Sequence, residues 1–203
     1  MTRRRAPLNA IVWRFSIGRA KNAPMSVALE TERLALRPLA PDDIDAHFAM
    51  MSDPRVAEFL TLDGKPPTAA GHWRAFASMI GHWRMRGYGF FSVFERATGA
   101  WVGRVGPWEP EGWPSLECGW GIAPAHWGKG YAGEAAIASI RWIFSQKPDL
   151  PRIISLIVAR NANSQTVAAK IGERKTGEIF HHDIVGDIDI WAADRDDWLK
   201  RFG

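Results

Sequence analysis

The 203-residue chain contains a single cysteine, Cys118. It can form no internal disulfide, and no cysteine cluster can hold zinc. That scarcity suits a reducing compartment, so a cytoplasmic protein is expected. No apolar run approaches the roughly 20 residues of a membrane span, and no membrane partner is expected. Only two tyrosines occur, Tyr88 and Tyr131. Residues 1–24 lack Asp and Glu altogether while holding Arg3, Arg4, Arg5, Arg14, Arg19 and Lys21. Removing those 6 from the 26 Lys and Arg residues leaves 20 basic residues against 22 acidic ones. The positive charge therefore belongs to the N-terminal stretch and not to the rest.

A basic, acid-free stretch can bind nucleic acid or membrane, or serve as a transit segment. Arg14 interrupts the apolar run Ile11-Val12-Trp13, which fits a signal peptide poorly. The preferred reading is an N-terminal extension over residues 1–24, or a translation start assigned too early, followed by one domain over residues 25–203. Nucleic acid is not an expected partner.

Apolar residues make up 46% of the chain, enough for a sizeable core. Leu34, Leu36 and Leu39 suggest a first strand. Pro41-Asp42-Asp43 opens a helix that Asp53-Pro54 closes, with a loop over 63–67. Thr68 caps a second helix running through Arg86, with Trp73, Phe76, Ala77, Ile80 and Trp83 on its apolar side. Phe90 to Glu95 and Trp101 to Val105 read as a hairpin, followed by an irregular loop from Trp108 to Pro114. A strand from Leu116 to Ile122 leads through glycines into a helix ending near Gln146. Ile153 to Val158 is a nearly continuous apolar strand. Asn163 to Ile171 is a short helix, capped by Asn163 or Ser164. Glu178 to Val185 and Ile188 to Trp191 form a closing hairpin around Gly186-Asp187, and Asp194 to Phe202 a terminal helix. The order implies a mixed α/β sheet covered by helices.

The most informative segment is Gly121-Ile122-Ala123-Pro124-Ala125-His126-Trp127-Gly128-Lys129-Gly130-Tyr131-Ala132-Gly133-Glu134-Ala135. Small residues at a helix start let a ligand approach backbone N–H donors, which together with the helix dipole suit a pyrophosphate. A Walker loop is excluded because Gly130 follows Lys129, and the spacing does not fit a dinucleotide fingerprint. A glycine-rich connection with no ligand is the plain alternative.

The run resembles the acyl-CoA pyrophosphate loop of GNAT N-acetyltransferases, with Trp127, Gly130 and Ala132 at the first, fourth and sixth positions of the usual Gln/Arg-x-x-Gly-x-Gly/Ala. Trp-Gly-x-Gly-Tyr-Ala then Glu-Ala is similar to the ribosomal-protein N-terminal acetyltransferase branch. Glu30 to Leu39 resembles the family's opening strand, and the element order is also the family's. The resemblance implies a mostly antiparallel sheet of about seven strands flanked by helices. It implies acetyl-CoA as co-substrate, a primary-amine acceptor (a protein N-terminus or a small molecule), direct transfer in a ternary complex, no metal, and a monomer or homodimer. Cofactor contacts would come from Ile122 before the loop and from Trp127, Gly128, Lys129, Gly130, Tyr131, Ala132 and Gly133 within it.

Asn161-Ala162-Asn163-Ser164, followed by Lys170-Ile171-Gly172, resembles the family's second cofactor segment. It implies that Asn161 bonds the cofactor arm and that Ser164 reprotonates the leaving thiolate; helix capping is the competing role. The tyrosine many relatives place in the helix after this Asn is missing, since Thr166 to Lys170 contains none. Glu117, in Leu116-Glu117-Cys118-Gly119-Trp120-Gly121, is the candidate base for an ammonium nucleophile, or else a structural partner of its strand neighbours. Trp108 and Trp113 would line the acceptor pocket or cover the sheet edge. Cys118 points opposite to Glu117 and reads as core. His181 and His182 fall on opposite strand faces and cannot chelate together, and Asp187 and Asp189 are read as solvated or substrate-facing. A non-catalytic acyl-CoA-binding module of the same fold is the rival reading.

Overall fold

The computed structural model describes residues 28–203, so the basic extension at 1–24 lies outside the described residues. Eight strands form one sheet: β1 (Leu29–Glu30), β2 (Leu34–Pro38), β3 (Phe91–Glu95), β4 (Trp101–Trp108), β5 (Glu117–Ile122), β6 (Arg152–Ile157), β7 (Arg174–His182) and β8 (Gly186–Asp194). Their spatial order is β1-β2-β3-β4-β5-β6-β8-β7. Every neighbouring pair is antiparallel except β5 and β6, which run parallel. The sheet thus has eight strands rather than about seven, the two-residue β1 being the addition.

Six α-helices accompany the sheet among the described residues: α1 (Ile44–Met51), α2 (Pro54–Leu60), α3 (Ala69–Arg86), α4 (Tyr131–Gln146), α5 (Ala162–Lys170) and α6 (Arg195–Phe202). Helix α2 is absent from the sequence reading. Asp53-Pro54 ends one helix and starts the next, because the Asp53 carboxylate accepts from the Arg55 N–H at 2.9 Å and Pro54 takes the first helical position. Thr68 does cap α3, its hydroxyl accepting from Gly71 N–H at 3.1 Å. The buried side of α3 carries His72, Phe76, His82 and Trp83, whereas Trp73 is 61% exposed. His72 displaces Trp73 because it pairs with His47 of α1, ring nitrogen to ring nitrogen at 2.8 Å.

Strand β4 runs to Trp108, so Trp108 belongs to the sheet and not to an irregular loop. Pairing with β3 stops at Val105, so Pro107 withholds no donor that a neighbouring strand needs. The β7–β8 turn occupies 183–185, since His182 pairs with Gly186. Gly177, at φ 87°, sits where the β7–β8 register shifts, so a bulge lets β7 begin at Arg174, earlier than expected.

Ile140, Ile143 and Phe144 of α4 are buried with Cys118, Val105, Phe91 and Ile153 in the main core. Trp198 of α6 closes it, donating its indole N–H to the Ile171 carbonyl at 2.8 Å. A smaller cluster of Met50, Met51 and Val56, with Leu60 against it, covers the other face. There the glycines of β5 are required. A Cβ on Gly121 would sit 2.7 Å from Leu60 Cδ1, and one on Gly119 would sit 3.1 Å from the Phe90 ring.

Candidate active site

β5 and β6 share one register pair, Glu117 with Ile154, whereas β4 and β5 share six. Two parallel strands therefore part just beyond Glu117. The crevice outside the carboxyl ends of parallel strands is the place where open α/β sheets bind ligands. One lip of this fork delivers the glycine loop and α4, and the other delivers α5.

Gly128 and Gly130 hold φ of 78° and 79°, the left-handed region that glycine adopts without strain. Gly130 is the N-cap of α4, and no side chain caps it. The first-turn N–H groups have no acceptor within the helix, and the dipole adds positive potential. The loop's side chains are tied back to the body. Trp127 donates its indole N–H to the Ile122 carbonyl at 2.6 Å. Lys129 Nζ lies 3.4 Å from Glu95, and the Tyr131 hydroxyl donates to the same carboxylate. Arg33 donates to the Lys129 carbonyl at 3.0 Å and to Glu134 at 2.7 Å. What the loop offers a ligand is its backbone, with Ala132 and Gly133 as small residues at the helix start. Nothing lies within 4 Å of the place a Gly128 Cβ would take.

On the other lip, Asn161 is the residue that caps α5, not Asn163 or Ser164. Its side-chain oxygen accepts from the Ser164 N–H at 3.1 Å, and the helix begins at Ala162. The cap uses the carboxamide oxygen and leaves the NH₂ group as a donor. Ser164 Oγ accepts from the Trp120 indole at 3.3 Å, so its own proton is available for donation. Trp120 is a site residue that the sequence reading did not single out.

Glu117, Asn161, Ser164, Trp108 and Trp113 line one cavity of about 640 Å³. The loop residues Ile122, Trp127, Gly128, Lys129, Gly130, Tyr131, Ala132 and Gly133 do not line it. Glu117 accepts from the Trp113 indole at 2.7 Å. Burial pushes the Glu117 carboxyl above its ordinary range, against the Trp113 hydrogen bond, the Arg104 charge and the Leu156 N–H. A carboxyl raised in this way is a better proton acceptor near neutrality.

Trp108 is held in place by its neighbours. It stacks on His82 at 4.5 Å and on Phe90 at 5.1 Å between ring centroids. His82 has both nitrogens engaged. Nδ1 donates to the Tyr88 carbonyl at 2.8 Å, and Nε2 accepts from the Glu109 N–H at 3.2 Å. Arg104 of β4 also lines the cavity, 7% exposed, and its guanidinium lies 3.9 Å above the Phe90 ring. Burial lowers its pKa to about 10, opposed by the Glu117 carboxylate. No motif marked Arg104 in the sequence.

His182 lines the cavity, and its Nδ1 accepts from the N–H groups of Ile184 and Val185, while His181 pairs with Asp187 at 2.9 Å. Asp189 is buried and pairs with Lys175 at 2.7 Å, so it neither faces solvent nor shares a ligand with Asp187. Cys118 is buried in the core. Among the described residues, no three His, Cys, Asp or Glu side chains are grouped to hold a metal ion. No helix among them is long and apolar enough to cross a membrane.

The family described as the acetyltransferase (GNAT) domain matches residues 33–174. The uncharacterized protein YkkB of Bacillus subtilis strain 168 is 31% identical over 153 residues, covering 71% of this chain and 83% of that protein. An acetyltransferase structure from Agrobacterium tumefaciens strain C58 superposes with a TM-score of 0.70 at 30% identity, over 82% of this chain and 94% of the other. The spermidine N-acetyltransferase of Vibrio cholerae, solved with CoA and spermine, shares the fold at 18% identity and a TM-score of 0.65, over 83% and 99% of the two chains. The forked parallel pair, the uncapped glycine loop and the extent of these matches lead to one conclusion: this chain belongs to the GNAT acetyltransferase family.

Proposed function

We propose that the protein transfers the acetyl group of acetyl-CoA directly to a primary amine, a protein N-terminus or a small molecule, bound beside it. The observation that carries this reading is the fork. A carboxyl with a raised pKa sits where β5 and β6 part, in one cavity with Asn161 and Ser164. Backbone N–H groups from Gly128 to Gly133 hold the pyrophosphate, and the Asn161 NH₂ holds the cofactor arm. Fixing both reactants removes much of the entropic barrier.

Glu117, directly or through one water, takes a proton from the acceptor ammonium. The freed amine nitrogen forms a bond to the thioester carbon, and the bond from that carbon to sulfur breaks. Ser164 gives its hydroxyl proton to the departing thiolate and recovers one, through water, from the attacking nitrogen, which leaves a neutral amide. Ser164 supplies the acid that the missing tyrosine supplies in many relatives.

Transfer measured against a broad amine panel, including peptides with free N-termini, tests the reading. Glu117→Gln keeps an acceptor for the Trp113 indole and removes only the base. Its turnover should fall about 10²-fold or more near pH 7 and recover above pH 9, where free amine is abundant. Wild-type rates at every pH would make Glu117 structural. Bound acetyl-CoA with no transfer to any amine would favour a non-catalytic acyl-CoA-binding module.

A further inference from the structure

The cavity holds one charged group, Arg104, that touches no hydrogen-bond acceptor or carboxylate among the described residues. Glu58 faces Arg160 at 3.8 Å, Asp63 accepts from the Lys65 N–H at 3.1 Å, and Glu117 accepts from Trp113. Arg104 has no such contact, the Glu117 carboxylate acting on it only through space. Its Nε is enclosed and lacks any acceptor, and no described carboxylate lies within 4.0 Å of its guanidinium. The Phe90 ring beneath it offers a cation–π contact and no hydrogen bond. A buried, unpaired guanidinium is costly to keep, and replacement by an apolar side chain would relieve that cost. Its planar fork of five N–H donors is matched to a carboxylate.

Arg104 and Glu117 sit on adjacent strands and on the same face of the sheet. Arg104 is opposite Gly121, and Glu117 is opposite Trp108. Gly119 and Gly121 add no side chains between them. The cavity therefore presents a carboxylate that can receive an ammonium and, apart from it, a guanidinium that can receive an anion. Phe90, Trp108 and Trp113 supply aromatic wall beside both.

We propose that Arg104 anchors the carboxylate of the acceptor, and that the acceptor is a free amino acid or a similarly sized amine carrying a carboxylate. The inference rests on the transfer reading above and narrows its acceptor. A polyamine would set a second ammonium against the guanidinium, and a neutral amine would leave the guanidinium unpaired. Arg104 is a specificity-determining residue here, with no part in proton transfer.

The test compares the protein amino acids with their amides and with the amines that lack the carboxyl group, titrated by calorimetry into the full chain saturated with CoA. At least one amino acid should bind about 10- to 100-fold more tightly than its amide, the span of a charge-assisted pair. Arg104→Met should abolish that difference while leaving acetyl-CoA affinity unchanged, and Arg104→Lys should restore part of it. Equal or tighter binding of the amides, or no binding by any amino acid, overturns the proposal. If Arg104→Met does not fold, the comparison of acid with amide in the wild type still decides. Carboxylate-dependent binding without acetyl transfer would sink the transfer reading and leave the anchor standing.

Discussion

Glu173, just past the C-terminal end of α5, is 2% exposed, and burial disfavours its charged form. Ser155 Oγ lies 2.8 Å from the Cys118 carbonyl and 3.0 Å from Glu173 Oε1. The serine hydroxyl is the donor to both oxygens, and its bond to Glu173 opposes the effect of burial on that carboxyl. Burial pushes this carboxyl well above the ordinary range. The sign follows from proton counting. The native state keeps a proton that the unfolded state loses above the usual carboxylate pKa, so stability falls as pH rises through that window. Glu173→Gln keeps an acceptor for Ser155 and is neutral at every pH, so it has no buried charge to form. It should raise the melting temperature near pH 8 by about 2–4 °C, the equivalent of about 1 kcal/mol, and leave it unchanged near pH 4. A melting temperature shifted equally at both values would show that Glu173 does not titrate differently in the two states. Nothing in the residues around Glu173 announces any of this, because its burial comes from a strand more than a dozen residues away.

At the scale of elements, the start of α4 is the feature most open to test. Gly130 has φ 79°, so a substitution there mixes backbone strain with any effect on the ligand. Gly133 has ordinary helical geometry, and a Cβ on it would meet only Ile171 Cγ2, at 3.8 Å. Gly133→Asp should leave the fold intact or firmer, since Asp replaces Gly in a helix and sits favourably in its first turn. The same charge should repel a pyrophosphate and weaken acetyl-CoA about tenfold or more in calorimetry. Unchanged affinity in a folded Gly133→Asp protein would move the cofactor away from this helix.

Local signals served well here. Thr68 as a cap, the end of α4 at Gln146 and the glycine start of α4 all involve neighbours within one turn of chain. Asp53-Pro54 was misread because a stop signal and a start signal share the same two residues. Asn161 was missed as a cap because the side chain that wins depends on where the fork places the first turn of α5.

For the whole molecule, the family match starts at residue 33 and the described fold at residue 28. We propose that residues 1–24 are dispensable for cofactor binding. Acetyl-CoA at about 100 times its dissociation constant should stabilise the protein by about 2.7 kcal/mol, or several degrees of melting temperature. A chain beginning at Met25 should show the same shift. A smaller shift, or a large fall in melting temperature without ligand, would mean that the extension packs on the domain.

The order of strands and helices, apart from β1 and α2, and the glycine loop opening α4 were legible in the chain alone, whereas Asn161 and Ser164 were marked by a family resemblance. The first two rest on short-range physics: hydrophobic period and a glycine where the backbone turns left-handed. Tertiary structure alone decided which charges meet. Arg104 and Glu117 share a cavity because β4 and β5 pair in a register that puts both on one face, above glycines against which Phe90 and Leu60 pack. Trp108 joined the sheet because β3 ends before Pro107, and Trp120 reached Ser164 across the fork. These placements depend on register and on where two parallel strands part, and burial there shifts the pKa of Arg104 down and of Glu117 up. That information lies in long-range contacts, which no single segment of the sequence contains.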